Sequence, residues 1–161
     1  MNDYQEARFV SNMMSAMFNT VAGKRIALFG AAFKAHTSDT RESPALAVCR
    51  ALLAERAEIV LSDPQAMEGA RLELGPDAQR VAFEPDPYAA AAGAYCVAIL
   101  TEWPSFAKLD YRAIYAGMVK PACLFDGRNL LDHAAMHAIG FDVYPIGKPP
   151  LLHHGPRLQG T

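Results

Sequence analysis

Runs of apolar residues alternate along the chain with segments of helical periodicity. The apolar runs predict buried strands at residues 25–30, 58–62, 81–83, 95–100, 122–126 and 141–146. Helix-start signals and apolar spacings of three and four predict helices between them, at residues 44–53, 87–92, 111–118 and 130–139. Apolar strands that alternate with helices indicate a parallel sheet covered on both faces. We therefore predict an α/β fold, a Rossmann-like three-layer sandwich with a mostly parallel sheet.

A further helix is predicted in front of this pattern. Apolar side chains recur at helical spacing between Phe9 and Phe18, which predicts a helix from residue 3 to about 20, with its methionines packed in a core. The chain then divides into an N-terminal connecting helix at 1–22, an α/β domain at 23–147 and a tail at 148–161. The tail is rich in proline and histidine and is expected to be flexible.

Composition narrows the classes of protein. The 161 residues suffice for one domain, and 15 basic against 17 acidic residues give a net charge of −2. Without a basic cluster, a non-specific nucleic-acid binder is not expected. No apolar run reaches the roughly 18–20 residues of a membrane helix. The N-terminal residues lack the charged region followed by an apolar region that is typical of a signal peptide, so none is predicted. We therefore expect no membrane partner.

The three cysteines, Cys49, Cys96 and Cys123, show no Cys-x-x-Cys spacing. Each lies inside a predicted helix or strand, so we interpret them as buried and inert. An odd number of cysteines without a pairing pattern favours a reduced, cytoplasmic location.

Candidate chemistry lies where the predicted strands end, because ligands of such sheets bind beyond the carboxyl ends of the strands. Lys34 follows the first strand and Arg128 follows the strand at 122–126. In the common strand order 3-2-1-4-5-6, these two cations would flank the crevice and point toward one anion. The loop from 31 to 42 is long for a strand-to-helix connection and also carries Arg41. Two cations before a helix N-terminus suit phosphate groups, although Arg41 could instead pair with Asp39 or Glu42.

A complete dinucleotide cradle is not expected in this domain. The first strand is followed by Gly30 alone, where the fingerprint needs G-x-G-x-x-G. Asp63 follows the second strand, where an acid could hold a ribose, but Asp-Pro is also a common turn pair and we favour the turn. His133 and His137 share a predicted helix face and could bind a metal, but a third ligand is not evident. A solvated pair is therefore favoured and no metal site is assigned.

The long loop resembles a known signature. Phe33-Lys34 and the segment 37–43 resemble the C-terminal UDP-binding domain of the UDP-glucose 6-dehydrogenases, in the UDP-glucose/GDP-mannose dehydrogenase family. Further stretches agree in order and approximate spacing, at residues 1–5, 18–21, 101–103 and 125–128. The resemblance extends over residues 1–147.

This resemblance implies a function and site residues. Enzymes of the family oxidise UDP-glucose to UDP-glucuronate in two NAD-dependent steps through a thioester on a cysteine. The family pattern implies that Phe33, Lys34 and Arg128 contact the UDP-sugar and that Arg41 reaches NAD. Neither the nucleophilic cysteine nor the NAD domain of the family is found in this sequence. No catalytic residue is therefore assigned, and the chain by itself is expected to be inactive, with weak affinity for UDP.

The expected partners are UDP or UDP-glucose, the N-terminal half of the enzyme, which would bind most of the NAD, and further copies in a homo-oligomer. Two alternatives stay open. The chain could be a stand-alone module that binds nucleotide sugars. It could also belong to a related dehydrogenase of GDP-mannose or of a UDP-N-acetylhexosamine.

Overall fold

A six-stranded parallel sheet forms the centre of the protein. The computed structural model describes residues 3–17, 20–32, 39–40 and 43–153. The strands are β1 (Arg25–Phe29), β2 (Glu58–Ser62), β3 (Val81–Phe83), β4 (Cys96–Ile99), β5 (Cys123–Asp126) and β6 (Asp142–Pro145). Their order across the sheet is β3-β2-β1-β4-β5-β6, and every neighbouring pair is parallel. The predicted strands are confirmed, and their order is the common one on which the argument about strand ends depended.

Helices cover both faces of this sheet. They are α1 (Asp3–Ala16), α2 (Pro44–Ala54), α3 (Met67–Leu74), α4 (Pro87–Ala91), α5 (Pro104–Ala107), α6 (Tyr111–Gly117) and α7 (His133–Ile139), with a 3₁₀ helix at Gly75–Arg80. None of the helices in the described part of the chain is long and apolar enough to cross a membrane.

Successive residues of each strand point into two separate cores. In β1, Ile26 and Leu28 pack with α1 and α2, whereas Ala27 and Phe29 pack on the opposite face. The second core contains Phe106 of α5, whose ring stacks on Phe29 at a centroid distance of 5.2 Å. This alternation produces the three layers of a Rossmann-like sandwich, as predicted.

Helix α1 is part of the first core. Phe9, Met13 and Met17 are buried, and the ring of Phe9 meets that of Phe125 edge-on at 5.6 Å. The interpretation of the methionines as core packing is confirmed. Helix α1 ends at Ala16, before the predicted end near residue 20, and residues 18–19 lie outside the described residues. Because this stripe is buried within the chain, it is not a free surface for self-association.

Two helix starts show how local sequence acts. The side chain of Ser43 caps α2 by accepting a hydrogen bond from Ala45 N, and Pro44 occupies the first turn, as predicted. Helix α7 was expected from residue 130 but begins at His133, after the N-cap Asp132. The backbone of Asp132 is extended, with φ −75° and ψ 102°, and its side chain accepts a hydrogen bond from Ala135 N, so the helix starts after it.

The C-terminal segment is attached to the sheet as far as His153. Leu151 forms an antiparallel bridge with Val143 of β6. The ring of His153 stacks on that of His137 at 4.1 Å, and His153 N donates to Asp142. The folded domain therefore extends past the expected boundary at residue 147, whereas residues 154–161 lie outside the described residues.

Candidate functional site

The candidate site is the carboxyl edge of the sheet at the ends of β1, β4 and β5, which we call the crevice. The strand order reverses between β1 and β4, since the chain runs outward from β1 in one direction and from β4 in the other. Three loops surround this edge: residues 30–32 after β1, 100–103 after β4 and 127–131 after β5. Ligands of doubly wound sheets bind at such a switch point.

Arg128 stands on the loop after β5, and the buried Asp126 shapes that loop. One carboxylate oxygen of Asp126 accepts hydrogen bonds from Arg128 N at 3.2 Å and Leu130 N at 3.0 Å. The other oxygen accepts from Leu131 N at 2.9 Å and contacts His133 Nε2 at 2.8 Å. Asp126 has no exposed surface, so four polar partners compensate for its burial. The backbone of Arg128 is therefore held in place independently of its guanidinium.

The side chain of Arg128 pairs with Glu102. Its Nε atom lies 2.6 Å from Glu102 Oε2, and the two side chains are 25% and 40% exposed. Sequence reasoning quoted Glu102 only as part of a motif and did not assign it a role. Its place directly after the apolar strand β4 was the signal that could have located it in the crevice.

Asp63 occupies the position where a dinucleotide-binding domain holds a ribose. One of its oxygens accepts hydrogen bonds from Ala31 N, Ala32 N and Trp103 Nε1 at 2.8, 3.2 and 3.0 Å. The other accepts from Gln65 N and Ala66 N at 2.8 and 2.7 Å, which closes the turn after β2. The turn interpretation is confirmed, and Asp63 is too fully engaged to bind a ribose.

Gly30 allows β1 and β4 to end close together. Its φ is +114°, a conformation that favours glycine, and a Cβ there would lie 2.6 Å from the Cβ of Thr101. The glycine thus serves the approach of two strand ends, and a phosphate loop is not needed to explain it.

The predicted ligand-binding residues fall in two groups. Arg128 lies at the carboxyl edge, two strands from β1, as the strand order required. Phe33, Lys34 and Arg41 lie outside the described residues, so their roles stay predictions.

The remaining candidate chemistry is structural. All three cysteines are buried, as predicted, and none forms a disulfide; burial raises the pKa of the Cys49 thiol to about 12. Burial also raises the pKa of Cys96 well above its usual value. His133 contacts Asp126, and His137 Nε2 lies 3.1 Å from the carbonyl oxygen of Leu152, so the interpretation of a solvated histidine pair is wrong. Within the described ranges, no group of three or more His, Cys, Asp or Glu side chains could hold a metal.

A concave surface lies between α1 and the ends of β5 and β6, and Arg128 is not among its lining residues. A groove of about 740 Å³ runs between α1 and residues 144–152, with Phe9, Phe125 and Tyr144 among its lining residues. The rings of Phe125 and Tyr144 are stacked at 4.4 Å. This groove is set by packing of aromatic side chains and contains none of the predicted ligand-binding residues.

The sheet order defines a doubly wound α/β domain. Residues 27–133 match the UDP binding domain of the UDP-glucose/GDP-mannose dehydrogenase family. The chain belongs to this family.

Curated relatives agree with this assignment. UDP-glucose 6-dehydrogenase 2 of Oryza sativa subsp. japonica is 47% identical over 166 aligned positions, which cover 92% of this chain and 34% of the relative. UDP-glucose 6-dehydrogenase 3 of Arabidopsis thaliana is 44% identical over 92% of this chain and 35% of its own length. The chain thus spans about a third of the length of these relatives.

Solved structures share the fold. A UDP-glucose dehydrogenase from Pyrobaculum islandicum is 27% identical and superposes with a TM-score of 0.65 over 86% of this chain and 30% of that one. The NDP-N-acetyl-D-galactosaminuronic acid dehydrogenase of Methanosarcina mazei reaches a TM-score of 0.75 over 90% of this chain and 29% of that one. At 18% identity, the latter likeness concerns the fold alone.

Proposed function

We propose that this chain is the UDP-sugar-binding part of an NAD-dependent UDP-glucose 6-dehydrogenase, which converts UDP-glucose to UDP-glucuronate. The observation that carries the proposal is the position of Arg128 at the carboxyl edge of a sheet that belongs to this family, one strand beyond the switch point. An arginine there can bind a diphosphate through two parallel hydrogen bonds. Relatives with 44–47% identity that bear the name UDP-glucose 6-dehydrogenase favour this nucleotide sugar.

Binding in this domain would serve chemistry completed elsewhere. In the proposal, Phe33, Lys34 and Arg128 hold the UDP-sugar, and Arg41 extends toward NAD. The described residues do not fit an NAD cradle, because Asp63 and the amides of Ala31 and Ala32 are bonded to one another. The binding energy of the UDP group would orient the glucose for a reaction at its remote carbon.

The chain by itself would therefore be inactive. Its three cysteines are buried, and the raised pKa of Cys49 and of Cys96 keeps these thiols protonated at neutral pH, unlike a nucleophile. We infer that the N-terminal half of such an enzyme supplies the nucleophile and most of the NAD site. We also infer a homo-oligomer and a cytoplasmic location, the latter supported by three cysteines that form no disulfide.

Calorimetric titration of the 161-residue chain with UDP, UDP-glucose, GDP-mannose and NAD tests the proposal. We expect UDP and UDP-glucose to bind with similar affinity, and GDP-mannose and NAD to bind at least about tenfold more weakly, because a purine would lack its matching contacts. Preference for GDP-mannose would favour the related dehydrogenases. NAD binding as tight as that of UDP would overturn the proposal.

Two substitutions test the site assignment in the same assay. Arg128→Ala and Lys34→Ala should each weaken UDP binding by about 1.5–3 kcal/mol, the usual range for hydrogen bonds to charged groups. Arg71→Ala is the matched control, because Arg71 also pairs with a glutamate, Glu68, but lies on α3 beside the edge strand β3. Unchanged affinity in both site variants would show that the diphosphate binds elsewhere.

A further inference from the structure

Side chains from the start of α2 and from the loops after β2 and β4 hold the backbone of Ala31 and Ala32. Asp63 accepts from Ala31 N and Ala32 N. Ser43 Oγ donates to the carbonyl oxygen of Ala31 at 2.8 Å, and Thr101 Oγ1 donates to that of Ala32 at 2.9 Å. All four polar backbone atoms of this segment are therefore bonded. We call the side chains of Ser43, Asp63 and Thr101 the β1 clamp.

The β1 clamp is buried throughout. Its three side chains are 3%, 2% and 0% exposed, in the order Ser43, Asp63 and Thr101. Trp103 is also buried, and its Nε1 donates to Asp63, which adds a bond from the loop after β4. Hydrogen bonds in such surroundings are strong, and losing one partner leaves the other uncompensated. The clamp therefore joins the loops after β1, β2 and β4 and the start of α2 into one rigid unit.

The bonded amides differ from those of a dinucleotide-binding domain. In that class, backbone N–H groups after the first strand approach the pyrophosphate, which glycines make possible. Here the N–H groups of Ala31 and Ala32 both point at Asp63 and are not available to a ligand. A diphosphate at this edge cannot bind to these two amides. In the proposed function it binds to the side chains of Arg128 and Lys34, the latter two residues beyond Ala32 in the sequence.

We propose that the β1 clamp consists of positioning residues for UDP binding. It fixes the backbone of Ala31 and Ala32 at the end of β1 and keeps the two amides turned away from the ligand. The clamp residues themselves need not touch UDP. This inference rests on the proposed function, because it concerns the affinity of the same site.

The test measures UDP affinity by calorimetry in the 161-residue chain, in parallel with the thermal midpoint of unfolding. Thr101→Val removes the hydroxyl at nearly constant volume and Asp63→Asn removes the charge. Each should weaken UDP binding about tenfold, since misplaced binding groups lose most of a hydrogen bond's contribution. Thr101→Ser keeps the donor and should stay within about twofold of the wild type.

Asp142→Asn is the matched control. Asp142 is also buried, accepts a backbone hydrogen bond from His153 N and begins β6, so it lies at the opposite, amino edge of the sheet. The Asp142→Asn substitution should lower the thermal midpoint of unfolding without changing the affinity for UDP. Trp103 is the single tryptophan of the chain, so its indole N–H resonance reports the state of the Asp63 carboxylate directly. We expect this resonance to shift upfield in Asp63→Asn.

The outcomes separate the two proposals. Wild-type affinity in folded Thr101→Val and Asp63→Asn would overturn the positioning role while the proposed function stands. Should Asp63→Asn not fold, Ser43→Ala takes its place. We expect it to lose about tenfold in UDP affinity, and wild-type affinity in the folded Ser43→Ala variant would overturn the positioning role. Failure of the wild-type chain to bind UDP would overturn both proposals. An equal loss of affinity in Thr101→Ser and Thr101→Val would show that the hydroxyl does not matter, and this too would overturn the clamp.

Discussion

Arg128 Nε lies 2.6 Å from Glu102 Oε2, which joins the ends of the neighbouring strands β4 and β5 across the crevice. The pair is partly exposed, so it contributes only about 0–1 kcal/mol to stability. Its importance is electrostatic, because Glu102 places a negative charge beside the cation that we propose binds a diphosphate. An incoming anion must share Arg128 with this carboxylate.

Glu102→Gln should therefore strengthen UDP binding. Removing the carboxylate relieves its repulsion of the diphosphate, while Asp126 still holds the backbone of Arg128. We expect a gain of about threefold at low salt, shrinking as ionic strength rises, because partly exposed charges are screened. Calorimetric titration at two salt concentrations measures it. Weaker UDP binding at both salt concentrations would mean that Glu102 orients Arg128 and that this orienting effect outweighs the repulsion.

Asp126→Asn should destabilise the domain. The buried carboxylate accepts three backbone hydrogen bonds and contacts His133. An amide presents its NH₂ group to some of these donors, so we expect the free energy of unfolding to fall by about 2–4 kcal/mol in urea denaturation. Asp132→Asn is the control. Asp132 is the N-cap of α7, where asparagine serves equally well, and a loss above about 0.5 kcal/mol there would point to a general effect of charge.

Gly30→Ala should be far more costly than Gly93→Ala. Both glycines have a positive φ, of +114° and +75°. A Cβ at Gly93 meets nothing within 4 Å, so only the backbone cost of about 1 kcal/mol is expected. A Cβ at Gly30 also collides with Thr101, and overpacking raises the expected loss to about 2–4 kcal/mol. Urea denaturation compares the two variants, and equal losses would contradict the close approach of β1 and β4.

Stability should fall at alkaline pH, partly through Cys49. Burial raises the pKa of this thiol from 9.0 to about 12. The unfolded chain then releases the proton first, so the contribution is complete below pH 9 and is lost as pH rises toward 12. We expect Cys49 to account for a loss of about 1 kcal/mol between pH 8 and pH 10.

Urea denaturation across this range, in the wild type and in Cys49→Ala, isolates the contribution of the thiol. The variant starts from lower stability because of the cavity, but its slope with pH should be smaller. Equal slopes would contradict a buried, protonated thiol. The slope that remains in Cys49→Ala belongs to other groups, including Cys96, whose pKa burial also raises.

Local sequence was sufficient for the elements of this fold and for the position of its cation. Continuous apolar runs indicated buried parallel strands, since both faces of the sheet are covered, and Ser43-Pro44 marked the start of α2. The strand-end argument placed Arg128 at the correct edge. These features depend on residue type and spacing, which the chain carries locally.

Hydrogen-bond partners that are distant in the sequence could not be predicted from local patterns. The amides of Leu130 and Leu131 donate to Asp126 of β5, a contact that helical periodicity does not predict. His133 and His137 share a helix, but His133 contacts Asp126 of β5 and His137 contacts the carbonyl oxygen of Leu152. A pattern along one element cannot reveal which side chain a neighbouring element will present.

By itself, the sequence determined the layered α/β architecture, the buried cysteines and the resemblance that led to the family. Only the tertiary structure decided that Asp63 is filled by five donors, that Glu102 meets Arg128 and that the amides of Ala31 and Ala32 are closed to ligands. The reason is physical. Strand order brings loops from different parts of the chain to one edge of the sheet. Whether two groups there form a hydrogen bond depends on their distance to within a few tenths of an ångström, which residue spacing does not encode.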